Sequence, residues 1–187
     1  MATQLDIINK ALRHIGAESV SALTDTSPRF LSIYNNYATA RDAVLEDGNW
    51  GFAKTRVAIV KDAVAPAFEY SYRFAKPAGF IKLIKEYNDA VVVEEGAYFL
   101  SDETSLQIIY VVNTTLEATW SAGFVSALSL RLALESGIDI TQDKALYQLL
   151  DKKYQEELDK SRRNNSLNSE PDHVEPTTFL GGRGGSW

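Results

Sequence analysis

Asp47-Gly48-Asn49-Trp50-Gly51-Phe52-Ala53 is the stretch at which the pattern of the chain changes. Before it, Phe30, Ile33, Tyr37, Ala40 and Val44 recur at helical spacing and form one apolar face. From Trp50 onward the period falls to two. Phe68, Tyr70, Tyr72 and Phe74 alternate with Glu69, Ser71 and Arg73, the pattern of a half-buried strand. Asp47-Gly48-Asn49 has turn chemistry, so a helix ends here and a block of strands begins.

Working upstream, the helix starts at Ser27-Pro28, an N-cap type followed by proline at the first helical position. An earlier helix covers Gln4 to Ile15, with Leu5, Ile8, Leu12 and Ile15 on one stripe. Thr3 and Asp6 suit a capping box at its start, and Gly16 suits a stop at its end.

Working downstream, further strands are expected over Phe80 to Glu86, Ala90 to Glu94, Ala97 to Leu100 and Leu106 to Val112. Turn signals at Lys76-Pro77-Ala78-Gly79, Asn88-Asp89, Glu95-Gly96 and Ser101-Asp102-Glu103 separate them, which implies antiparallel pairing. A third helix covers Ala122 to Ser136 and ends at Gly137. Phe124, Leu128, Leu130, Leu132 and Leu134 make it apolar around much of its circumference, hence central. A fourth runs from near Thr141 to Arg163, carrying Leu146, Leu150, Tyr154 and Leu158. The fold class is α+β: a helical bundle built from both ends of the chain, with a small antiparallel β module inserted over 50–115. Residues 1–163 read as one domain, with helices over 4–15, 28–47, 122–136 and 141–163. Residues 164–187 are polar and glycine-rich and read as a flexible C-terminal tail.

Composition narrows the chemistry. The chain has 187 residues, a net charge of −6 and no cysteine, so thiolate metal sites, disulfides and cysteine nucleophiles are excluded. The negative charge argues against free-standing nucleic-acid binding, which draws on Lys and Arg. No apolar run is long enough to cross a membrane, and the start lacks signal-peptide character, so synthesis in a cytoplasm is expected.

No catalytic motif emerges. Glu94, Glu95, Asp102 and Glu103 are the carboxylates that could serve a glycoside hydrolase, but they sit at turn positions where solvated acids are expected anyway. Tyr70, Tyr72, Tyr87 and Tyr98 could stack on sugars in such an enzyme, although alternation turns Tyr70 and Tyr72 toward the core. His14, near the end of its helix, is placed for a favourable cation–dipole interaction, and His173 lies in the tail. Gly181–Gly185 has neither a strand before it nor a helix after it, so it is a spacer, not a phosphate loop. No cofactor or metal is expected. Phe179, Leu180 and Trp187 are large apolar groups on the tail. They either dock back on their own chain or fill pockets on a partner.

One joint pattern is more specific. Asp6-Ile7-Ile8-Asn9-Lys10-Ala11-Leu12-Arg13-His14-Ile15-Gly16, then Val20-Ser21-Ala22-Leu23, resembles the start of the tail tubular protein A family, the adaptors of short-tailed bacteriophages. Tyr37, Ala40-Arg41-Asp42 and Leu45 are similar to its second helix. Trp50-Gly51-Phe52-Ala53 is similar to its tryptophan–x–phenylalanine junction, and Leu128, Leu130, Leu132 and Ala133 fit its late apolar helix. The likeness is sharpest over the first sixty or so residues. It implies a structural virion protein, made in the host cytoplasm and located in the tail. As a dodecameric homo-oligomeric ring it would join the portal to the tail nozzle and form part of the DNA ejection channel, passing double-stranded DNA without sequence-specific binding. It implies no catalytic residues. Trp50 and Phe52 carry over as packing anchors, and Phe179, Leu180 and Trp187 are the candidate partner-binding residues. Two other readings stand beside it: a tail-associated polysaccharide hydrolase and a connector from a long-tailed phage.

Overall fold

The computed structural model describes residues 2–87 and 90–168, without the side chains of 138, 139 and 165–168. These residues form an α+β structure of four helices and two small antiparallel sheets. The helices are α1 (Gln4–His14), α2 (Pro28–Asp47), α3 (Ala122–Thr141) and α4 (Lys144–Asn168). The strands are β1 (Lys54–Val60), β2 (Tyr72–Ala75), β3 (Phe80–Glu86), β4 (Val93–Glu95), β5 (Tyr98–Ser101) and β6 (Ser105–Val112).

Local chemistry sets the ends of α1. Thr3 and Asp6 exchange both bonds of a capping box. Gly16 takes φ +70, which lets the Gly16 N–H reach the Arg13 carbonyl and the Ala17 N–H reach that of Leu12. That double closure satisfies carbonyls the helix leaves open. Pro28 is the first residue of α2, but the Ser27 side chain does not cap it; the Ser27 N–H instead donates to Asp25 at 2.7 Å.

Three boundaries of the late helices differ from expectation. α3 does not stop at Gly137 but continues to Thr141. Gly137 is buried, and a Cβ there would lie 3.2 Å from Ile15, so this glycine lets the end of α1 approach α3. α4 begins at Lys144, where the Asp143 carboxylate accepts from the N–H groups of Ala145 and Leu146. It continues to Asn168, past the expected end at Arg163; nothing over Asn164–Asn168 breaks a helix, and the first proline is Pro171.

The strand block also departs from the alternation. β1 falls where no strand was named, with Val57 and Ile59 partly buried against the sheet core. The strand expected from Phe68 begins only at Tyr72, and Phe68 is 79% exposed. Glu69 adopts φ 75, and the Tyr70 N–H closes back on the Phe68 carbonyl. That tight turn cannot continue a pleat. The strand expected over Ala90 to Glu94 reduces to Val93–Glu95.

β6 pairs with β1 and β3, and β5 with β2 and β4, all antiparallel. One core lies between the sheets, around Phe74, Phe99, Leu106, Ile108 and Tyr110. A larger one lies among the helices, where α3 packs against α1, α2 and α4.

Candidate functional site

The strands and the helices meet at the C-terminal end of α2. The Trp50 indole is buried, and its N–H donates to the Val44 carbonyl at 2.7 Å. Gly48 is needed here because a Cβ would overlap the Trp50 ring; its φ of −93 is ordinary. Phe124 of α3 is the hub. Trp50, Phe52 and Trp120 each meet it edge-on, with centroids at 5.2, 5.1 and 4.9 Å. Phe52 itself is partly buried against the helical core.

Polar groups from three further elements tie the same helix end. Lys82 of β3 donates to the carbonyls of Glu46 and Gly48. Arg162 of α4 donates to the Asp47 carbonyl at 3.3 Å. The Asp47 carboxylate accepts from Tyr154 of α4 at 2.8 Å and from Arg131 of α3 at 3.3 Å. Burial and the neighbouring carboxylate hold the Tyr154 hydroxyl well above the usual phenol range, so it stays a donor. Cations gathered at a helix C-terminus are favourably placed against its dipole. Of these residues only Trp50 and Phe52 were singled out as anchors from sequence; Asp47, Lys82, Trp120 and Arg131 join the site through long-range packing.

The four candidate acids lie on β4 and in the turn after β5. Glu94 bonds Lys76 at 3.0 Å, and its neighbour Glu95 projects from the opposite side of β4. Asp102 accepts from the Ser71 N–H at 2.8 Å, past the end of β5. Glu103 follows it in the same turn, its N–H donating to Ser101. Among the candidate tyrosines, Tyr72 packs against the sheet core beneath Lys61, while Tyr98 stacks under the Arg73 guanidinium. Tyr87 lines an open cleft beside β1 and β6.

His14 is not placed as a cation. It is half-buried between α1 and α3, with Nε2 3.2 Å from the Ser129 hydroxyl. That hydroxyl donates to the Ser126 carbonyl, so the imidazole donates through Nε2–H. Burial lowers its pKa, and Lys10, Lys153 and Arg13 lower it further. His173, Phe179, Leu180 and Trp187 lie outside the described residues.

A second cleft, of about 380 Å³, opens between α2 and the segment before α3. Glu117 there accepts from the Gln4 N–H at 2.9 Å and from Tyr37 at 3.3 Å, so this carboxylate caps the start of α1 from within the chain. The Trp120 indole N–H lines the same region, buried and without a partner among the described residues. Among the described residues no cluster of His, Cys, Asp or Glu could hold a metal ion, and no helix is long and apolar enough to cross a membrane.

Large apolar groups stand exposed on separate elements. Val60, Val64 and Phe68 flank or occupy the β1–β2 connection, Leu31 and Tyr34 lie on α2, and Tyr147 and Leu149 lie on α4. No protein-family model matches the chain, and a search of curated proteins found no match to it.

Proposed function

We propose that the protein is a structural virion subunit, a head-to-tail adaptor that assembles as a dodecameric ring between portal and tail nozzle and forms part of the DNA ejection channel. It acts by shape, without catalysis. The resemblance over the first sixty or so residues supports this reading. The observation that carries it is the exposure of large apolar side chains on α2, on α4 and at the β1–β2 connection of a chain whose strands are tied to α2 by Lys82. Closing a ring requires two different faces on each subunit, and exposed apolar patches mark such faces. In this reading the four helices form one bundle from both ends of the chain and supply the rigid body of the subunit. The net charge of −6 suits a conduit, because a basic lumen would hold the genome it must pass. Phe179, Leu180 and Trp187 dock on the portal or on a neighbouring copy.

Negative-stain imaging of the full chain mixed with its portal tests this. Closed rings seated on the portal are expected, with weaker seating when residues 169–187 are deleted. A chain that stays solitary and unbound beside an intact portal sinks the reading.

A further inference from the structure

We propose that copies of this chain join by inserting the β1–β2 connection of one copy into the open cleft beside Tyr87 of the next. That the occupant is a second copy rests on the self-assembly proposed above. The connection, residues 61–71, is built to present apolar groups. Phe68 is 79% and Val64 55% exposed, and Val60, at the end of β1, is 79% exposed. Its base is braced on both sides. The Asp62 N–H donates to the Arg73 carbonyl at 2.8 Å, and the Arg73 guanidinium returns two bonds to the Asp62 carboxylate, each 2.9 Å. On the other flank the Ser71 N–H donates to Asp102 at 2.8 Å. Glu69 is held in the left-handed region at φ 75, a conformation that is unfavourable for a non-glycine residue. A loop that exposes a phenyl ring and holds backbone strain beside it is pre-organised for contact.

The receiving surface lies elsewhere on the same module. An open cleft of about 320 Å³ is lined by Arg56, Val57, Ala58, Tyr87, Gln107 and Ile108, a mixed polar and apolar surface with room for one aromatic ring. Charge matches across the two surfaces. Glu69 adjoins Phe68 on the loop, and Arg56 rims the cleft. Both are exposed, and neither forms an ion pair among the described residues. Phe68 thus enters beside Val57, Tyr87 and Ile108 while Glu69 meets Arg56. Giving and receiving surfaces differ, so every copy offers one of each and the contact has a direction.

Sedimentation of the full-length chain over a concentration series, with the variants F68S, R56E and E69R, tests the pairing. Circular dichroism confirms that these surface changes leave the fold intact. The wild type should self-associate, and F68S should weaken association about tenfold or more. R56E and E69R should each dissociate alone, and an equimolar mixture of the two should reassociate, because every loop then faces a cleft of opposite charge. Variants that associate like the wild type, or a mixture that fails to recover, overturn the loop–cleft contact and leave the ring untouched. A reciprocal dimer abolished by F68S supports the contact and sinks the ring. A wild-type chain that is monomeric throughout overturns both.

Discussion

Protonating His14 would place a positive charge in a seam already occupied by cations. Lys10 donates to the Ser126 hydroxyl at 2.8 Å one turn before it, and Arg13 of α1 and Lys153 of α4 act on it in the same direction. The neutral imidazole already donates to Ser129, so the second proton must go to Nδ1 and gains no bond there that the structure shows. The folded pKa therefore lies below the ordinary value of 6.5, and the unfolded state binds the proton more readily. The stability His14 contributes is present above about pH 6.5 and is lost as pH falls from there toward the folded value. Unfolding midpoints measured from neutral to mildly acidic pH should fall for the wild type, and His14→Gln should flatten that part of the slope. An unchanged slope in the variant would place the sensitivity elsewhere. Sequence placed His14 at a helix end with Lys10 and Arg13 near it, but Ser129 and Lys153 come from residues more than a hundred positions away. Gly48 teaches the same lesson. Its residue type marked a turn, while its necessity comes from the Trp50 indole lying where a Cβ would go.

At the scale of elements, α3 was legible as the central helix because its apolar residues encircle it, and Phe124, Leu128 and Leu132 are fully buried. Its length was not. Glycine near the end of an apolar run looks like a stop, yet Gly137 is an interior residue whose missing side chain admits Ile15. Gly137→Leu should drive the end of α1 off α3 and destabilise the protein by about 1–3 kcal/mol, read from urea unfolding. A neutral result would mean that Ile15 moves aside freely. The strand from Phe68 to Phe74 failed for a related reason. Alternation shows which side chains could share a face, but not that Glu69 turns left-handed and carries Phe68 into solvent. The aromatic anchors Trp50 and Phe52 were readable from their place at the change of period; their partner Trp120 was not, because nothing local ties it to them.

For the whole molecule, the order helix, helix, strands, helix, helix follows from the change of period, and with it the α+β class. The division into two sheets does not, because β1 pairs with β6 across the intervening strands. Nor do local patterns reveal that the sheet core and the helical core are distinct clusters, with the strands tied to the helices at the end of α2. The separation has an experimental signature. Removing residues 55–110 and bridging the gap with a short glycine–serine link should leave a protein with helical circular dichroism and cooperative melting. Its midpoint should be lower, since Lys82 no longer holds the α2 carbonyls. Loss of cooperative melting would show that the helices depend on the sheets to fold.

Lys54 lies directly opposite Val111 in the β1–β6 ladder. The chain therefore leaves the helices and comes back to them through a single doorway, and whatever hangs beyond it can change without rerouting the rest. A lineage could lengthen, shorten or trade that appendage to suit a new neighbour while keeping its frame, and an engineer could graft a foreign domain at the same threshold.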